Sequence, residues 1–345
     1  MKLGIDIGYS GARMTLPMEV ILRADELGID SVWTAESYGS DVFSPLAYIG
    51  ALTKRIRLCT GIAQLAARTP ANCAMTAQTI DALAGEGRMV VGLGVSGPQI
   101  VEGWYGQPWG KPATRMRDYV AIMKKIWRRD APVSHDGAEI SLPYQGEGAT
   151  GLGKPLKSIL YGNPDIPVML GTSTPGPIRL TGEIADGWLS MHVTPASLGP
   201  KLKLLEEGLA RRGDGKTLAD LEIAGIAQIS LTDDVRSALD AAKPTIALYV
   251  GGMGAKQKNF HKDAMIARGY AAEADRIQEL FLAGHKEEAA AAIPDEYIDE
   301  GALIGPEARI AESYAKWRDS AFTLIRLGNP DLPALEAMAR IAARD

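Results

Sequence analysis

The stretch Met89–Gln99, MVVGLGVSGPQ, narrows the possible folds more than any other part of the chain. Met89, Val90, Val91 and Leu93 make an apolar run without polar alternation, the pattern of a short strand covered on both faces, as in a parallel sheet. The run opens into Gly94, Val95, Ser96, Gly97 and Pro98, where small residues let a ligand approach the backbone closely. In parallel α/β folds function gathers just beyond the carboxyl ends of strands. Two further strands of this chain end in the same way, so the three exits are expected to wall one site.

Taken in order, Leu3–Tyr9 is an apolar strand whose one charge, Asp6, needs a partner if it faces inward. A helix on Val20, Ile21, Ala24 and Leu27 follows, with Pro17 in its first turn and Gly28 as its stop. Ser31–Thr34 and Ile56–Ile62 are the next strands; a short helix, Pro45–Leu52, separates them, and a helix from Pro70 to Gly85 leads to the opening stretch. After Gln99 the rhythm breaks into a helix from about Arg115 to Arg129, a hairpin-like Val133–Leu142 and a Gly/Pro-rich segment, Pro143–Asp165. A loop of that length is expected to be an insertion over the ligand site. The rhythm resumes with a strand at Pro167–Gly171, a helix at Pro177–Ala185, and a sixth strand introduced by Asp186-Gly187-Trp188 and ending at Met191-His192. A helix at Ser197–Arg212 and a seventh strand at Glu222–Ser230 come next. Helices at Asp234–Lys243, Lys262–Ala283 and Pro306–Arg318, with a Lys/Glu/Ala-rich turn at 286–292, precede an eighth strand at Phe322–Leu327 and a last helix from Pro333. Thr245–Val250 fits either strand or buried helix. Eight strands alternating with helices describe an α/β fold, a (β/α)8 TIM barrel. It is expected to be a single domain over residues 1–345, with insertions after strand four (about 100–165) and before strand eight (a helical extension at about 245–320).

A net charge of −5 and the lack of a basic stripe argue against a general nucleic-acid binder. Lys124, Lys125, Arg128 and Arg129 do cluster, but at helical spacing on a polar face. No apolar run approaches the roughly 18 residues of a membrane span, and MKLGIDIGYS runs straight into a strand pattern without a signal-like apolar stretch. Cys59 and Cys73 read as reduced core thiols, and a cytoplasmic protein is expected. No His, Cys or carboxylate set has metal-ligand spacing, so no metal is expected. His192, at a strand exit, is the best histidine for proton work, whereas His135, His261 and His285 lie in polar surroundings and read as surface residues.

Read together, Val32-Trp33-Thr34-Ala35-Glu36-Ser37-Tyr38-Gly39-Ser40-Asp41, Thr60-Gly61-Ile62, Leu93-Gly94-Val95-Ser96-Gly97-Pro98-Gln99 and Glu183-Ile184-Ala185-Asp186-Gly187-Trp188 give the chain a family likeness. It resembles the bacterial-luciferase-like flavin and deazaflavin oxidoreductases, and most closely their coenzyme F420-dependent branch. The ordered set spans about residues 1 to 330; it is specific for the family and much less so for a substrate. The resemblance implies a non-prolyl cis peptide at Gly61–Ile62 backing the ring system, with Gln64 beside it, although Gly61 by itself reads as an ordinary strand-end turn. Glu36 matches the acidic residue that such F420 enzymes place near the deazaflavin; its alternative is a solvated loop charge. Ser37 stands where some relatives carry a proton-donating His, so a His-dependent step at that position is not carried over. Ser173-Thr174-Pro175 matches the loop that holds the cofactor phosphate. The helix beginning near Pro177 would offer N–H groups and its positive dipole end, with Arg179 one turn in; an ordinary Ser/Thr cap is the alternative. Ser96 and Gln99 would contact the ribityl chain or ring edge, and Lys111, Arg115 and Lys154 would face the acidic tail. Asp186 reads as structural. Trp104, Tyr105 and Trp109 form an aromatic loop that fits a cofactor cover, a pocket wall, core packing or an oligomer contact equally.

The expected activity is hydride transfer between F420, through its deazaflavin C5, and a small organic substrate, with Glu36 and His192 managing protons, in a homodimer without membrane or nucleic-acid partners. An FMN-dependent monooxygenase fed by a separate reductase is the alternative on the same fold, and a non-catalytic F420- or flavin-binding protein is a third. A barrel glycoside hydrolase would need two carboxylates roughly 5–10 Å apart across a cleft, and only Glu36 sits at a strand exit.

Overall fold

The computed structural model describes residues 1–253 and 259–344. Its elements are, in order, β1 (Lys2–Gly8), α1 (Met18–Leu27), β2 (Ser31–Thr34), α2 (Phe43–Leu52), β3 (Arg57–Thr60), β4 (Ala63–Gln64), α3 (Pro70–Ala84), β5 (Met89–Gly94), α4 (Pro98–Val101), α5 (Pro112–Arg128), β6 (His135–Asp136), β7 (Ser141–Leu142), β8 (Val168–Gly171), α6 (Pro175–Ile184), β9 (Gly187–Leu189), α7 (Gly199–Arg212), β10 (Glu222–Leu231), α8 (Val235–Gly252), α9 (Phe260–Ala267), α10 (Ala271–Leu282), α11 (Lys286–Ala291), α12 (Asp295–Asp299), β11 (Leu303–Gly305), α13 (Glu307–Arg318), β12 (Leu324–Gly328) and α14 (Leu332–Ala342). Among the described residues, eight strands alternating with helices, β1, β2, β3, β5, β8, β9, β10 and β12, are those of a (β/α)8 TIM barrel. No helix among the described residues is long and apolar enough to cross a membrane.

Two compact units are distinguished. The larger comprises Ile7–Leu189 and Leu204–Glu222. In it β2, β3, β5, β8 and β9 pair in that order, all parallel, and β4 runs beside β5 with Ala63 opposite Leu93. All six residues of β5 are buried, as its continuous apolar sequence requires. The smaller unit comprises Met1–Asp6, Ser190–Lys203 and the chain from Ile223 on. There β12 pairs in parallel with both β1 and β10, and β10 pairs with β11. Asp6 is buried and its carboxylate accepts from Arg326 Nη1 at 2.9 Å, the partner an inward Asp6 needs.

Local chemistry sets the boundaries. α1 stops at Gly28, whose φ of 76° lets the chain turn back on its own last carbonyls. α3 starts where the Thr69 hydroxyl accepts from Asn72 N–H, with Pro70 in the first position. One open reading closes and two expectations need correction. Thr245–Val250 is helix: α8 continues through Pro244, because Ala247 and Val250 pack into an apolar cluster with Ile277, Leu280 and Ile298. The helix expected over Lys262–Ala283 is two helices, broken at Gly269 with φ 98°. The second half of Pro143–Asp165 lies against α3 and the end of α5: Ser158 O accepts from Arg129 Nε, Tyr161 sits 3.6 Å from the Arg129 guanidinium, and Asn163 O accepts from Gln78 Nε2. That half therefore carries the chain back to the start of β8 and does not cover strand exits.

The entrances of the strands in the larger unit are densely tied. Buried Arg88 donates to the carbonyls of Ile56, Thr53 and Ala84 and to the Thr53 hydroxyl, closing the ends of α2 and α3 at once. Asp25 accepts the N–H groups of Lys54, Arg55 and Ile56, and Asp81 those of Gly87 and Met89. Asp186 accepts from Val168 N–H and Lys124 Nζ, which makes it structural.

Candidate active site

At the exit of β3 the fully buried Thr60 hydroxyl donates to the Gly92 carbonyl and accepts from the Gly92 N–H, both at 2.8 Å. Gly92 has no room for a side chain, since a Cβ there would lie 2.0 Å from Thr60 O. The next peptide, Gly61–Ile62, is cis. The Ile62 side chain fills the space that Cβ atoms on Gly94 and Gly171 would need; these would approach it to 2.7 and 2.8 Å. Glycines at the exits of β5 and β8 thus make room for one isoleucine, which brings three strand ends together.

Glu36, two residues past β2, is 7% exposed. Its Oε2 accepts from Gln64 N–H at 2.9 Å and Arg68 Nη1 at 3.0 Å, and its Oε1 from Arg68 Nη2 at 2.5 Å. The bidentate pair fixes the carboxylate's plane. Burial works against the Arg68 charge, but the Glu36 hydrogen bonds outweigh it and raise the guanidinium above its ordinary pKa. Gln64 Nε2 donates to the Glu36 carbonyl, which leaves Gln64 Oε1 buried without a partner among the described residues. A buried acceptor of this kind costs stability until a donor reaches it. Tyr105 Oη donates to the Ser37 carbonyl, tying the aromatic loop to the Glu36 loop, and Trp109 lines a small, open cleft with Leu65, Val95 and Arg115. A second small cleft lies at the exits of β1 and β2, between Gly8, Met14, Leu16, Thr34 and Ser40.

Ser96 holds a left-handed φ of 55°, a region that residues other than glycine adopt at a cost. Gln99 is exposed in α4. Thr174 caps α6 without a side-chain hydrogen bond, so Ser173 and Thr174 keep their hydroxyls for other use. α6 begins at Pro175, two residues before the expected start, and with prolines at 175 and 177 its first turn keeps only Gly176 N–H as a donor. The expected row of helix N–H groups is therefore thinner than supposed. Arg179 Nε donates to Glu207 of α7, and Arg115 lies between Pro108 O and Glu139. Both cations are thus held by partners within the chain; Lys154 is exposed.

Glu36, Gly61, Ile62, Gln64, Ser96, Gln99 and Ser173–Arg179 belong to the larger unit and His192 to the smaller. His192 follows β9 with φ 59°, and its Nε2 lies 2.7 Å from His261 Nδ1. His261 is therefore not a surface residue, and neither is His135, whose Nε2 meets the buried Asp118 at 3.2 Å. Two residues escaped sequence reasoning. Arg68 signalled itself only as a charge in the short loop after a strand exit; His261 gave no signal.

The family model of luciferase-like monooxygenases matches residues 5–324. A Mycobacterium tuberculosis protein named "Putative coenzyme F420-dependent oxidoreductase" is 45% identical over 327 residues, 94% of each chain. Among solved structures, the coenzyme F420-dependent tetrahydromethanopterin reductase of Methanopyrus kandleri matches with a TM-score of 0.78 at 21% identity, over 98% of this chain and 97% of its own. An F420-dependent secondary alcohol dehydrogenase in complex with an F420-acetone adduct matches with a TM-score of 0.75 at 19% identity, over 100% and 99%. Both structural likenesses speak to the barrel fold. With its sequence matched from residue 5 to residue 324, the chain belongs to the luciferase-like monooxygenase family.

Proposed function

We propose that this protein is a coenzyme F420-dependent oxidoreductase that moves a hydride between the deazaflavin and a small organic substrate. The observation that carries the reading is Gln64 Oε1, a buried acceptor lacking a donor, set beside a carboxylate locked by Arg68 at the exits of β2 and β4. A ring system with N–H groups suits that acceptor, and the name of the 45%-identical relative supports F420 as the ring. When bound, F420 supplies at C5 the carbon that accepts or gives the hydride.

The chain's own residues have separable tasks in this reading. Ile62, wedged between Gly94 and Gly171, backs the ring, and Gln64 Oε1 accepts one of its N–H groups. Arg68 and Gln64 N–H hold Glu36 in one orientation, so that its carboxylate presents a fixed acceptor to substrate or cofactor. Ser96 and Gln99 flank the ring edge, while the Ser173 and Thr174 hydroxyls and Gly176 N–H receive the phosphate. His192 handles the proton of the substrate's oxygen. The Ser173–Pro175 loop carries the anchoring without Arg179, which Glu207 already holds. A cytoplasmic homodimer completes the reading.

The test is to follow the absorbance of oxidised F420 while purified protein is given a panel of small alcohols and other reduced organic compounds. Loss of that absorbance with at least one compound, without any added flavin reductase, is expected. Turnover found only with FMN plus a reductase, or none with any compound, overturns the proposal.

A further inference from the structure

His192 and His261 meet ring to ring in the smaller unit, with centroids 5.0 Å apart at 83° and Nε2 to Nδ1 at 2.7 Å. Tyr249 of α8 packs edge-on against the far side of His261, with centroids 4.6 Å apart. Asn259, whose side chain accepts from His261 N–H and Lys262 N–H and donates to the carbonyls of Tyr249 and Val250, fixes the start of α9 and with it His261. His192 is aimed by its left-handed backbone. Neither His192 Nδ1 nor His261 Nε2 has a hydrogen-bond partner among the described residues, and both residues are half-buried.

We propose that the two histidines form a proton relay, in which His261 is the outlet for protons that His192 takes from a substrate hydroxyl. The inference rests on the oxidoreductase reading above. As the substrate O–H bond breaks, its proton bonds to His192 Nδ1, the Nε2 proton of His192 passes to His261 Nδ1, and the Nε2 proton of His261 leaves to water. Each ring gains one proton and gives one up, so neither carries net charge at the end. The reverse sequence delivers a proton to a carbonyl oxygen. Burial, with the charges of His261 and Arg268 adding to it, holds His192 down to about 3, and burial holds His261 down to about 4. A lone imidazole in these surroundings would have to become a cation to act as a base, whereas a paired one hands its second proton on. Among the described residues, Tyr249 of α8 packs on His261 and the charge of Arg268, at the end of α9, acts on His192; neither offers a carboxylate to stabilise an imidazolium.

The test is imidazole nitrogen NMR on the ¹⁵N-labelled full chain, alongside an F420 titration of the same preparation. A working relay has both tautomeric arrangements open to it, so the bonded nitrogens of His192 and His261 are expected at shifts averaged between protonated and bare values, with no charging from pH 8 down to 5. His261→Asn keeps a hydrogen-bonding neighbour for His192 but breaks the path through the second ring; there the averaging is expected to collapse to one tautomer. Locked tautomers in the parent protein, independent titration of either ring near its ordinary pKa, or averaging that survives His261→Asn each overturn the relay. Failure of the oxidoreductase reading shows instead as absent F420 binding, whatever the imidazole spectrum.

Discussion

The two ends of the parallel strands in the larger unit are built on opposite rules. At the entrances polar groups are matched: Arg88 serves five oxygens, Asp25 three N–H groups, and Asp186 a lysine and a backbone N–H. At the exits there are loose ends. Gln64 Oε1 is buried without a donor, Ser96 sits in a left-handed conformation, and α6 starts without a side-chain cap. Satisfied groups stabilise the fold; unsatisfied ones in preset positions are what a ligand completes. Function in this unit therefore belongs to the strand exits.

The sharpest break of this contrast is Arg88→Met. It strands several buried carbonyl oxygens and is expected to cost on the order of 4 kcal/mol in urea unfolding, while F420 affinity of the folded fraction stays that of the parent. A pH series adds a contrast within the smaller unit. His192 and His261 have folded pKa values depressed to about 3 and about 4 from an ordinary 6.5. A group depressed in this way binds its proton more readily when unfolded, so its stabilising contribution is full above pH 6.5 and lost as pH falls toward 4 and 3. Unfolding free energy is therefore expected to drop by about 4 kcal/mol between pH 7 and pH 5. Asp25 and Asp186, also depressed, start from 3.8 and add losses only below that pH. A flat profile from pH 7 to pH 5 would place the histidines in water.

A smaller effect is expected at the exits. Gln64→Leu removes the lone acceptor and one hydrogen bond, so stability changes by no more than about 1 kcal/mol while F420 affinity falls roughly tenfold. Equal losses in stability and affinity would make Gln64 a structural residue. Smallest of all is Arg179→Met: with Arg179 occupied by Glu207 on the surface, stability is expected to move by less than about 0.5 kcal/mol and F420 binding to stay unchanged.

How much of this was legible beforehand follows the range of the forces involved. Strand β2 and the stops at Gly28 and Gly85 are local patterns, legible in the sequence to within a residue. The place of Glu36 at a strand exit was legible too, because exits follow from strand ends. Its partner was not: Arg68 lies 32 residues away, and only the return of the chain through β4 brings the two together. His261 is 69 residues from His192 and looked like a helix-surface residue by its neighbours. The helix expected to end at Lys243 runs on through Pro244, because the packing of Ala247 and Val250 outweighs the one hydrogen bond that proline removes. Gly269 sits in a helical pattern where a single glycine is tolerated, and nothing local announced that it turns the chain.

The most direct measurement is a side-by-side fluorescence titration of the purified protein with F420 and with FMN. Saturable F420 binding, much tighter than FMN binding and weakened in Gln64→Leu, is the expected result. Tight FMN binding with little or no F420 binding would contradict the central claim and assign the exits of β2, β4 and β5 to a flavin.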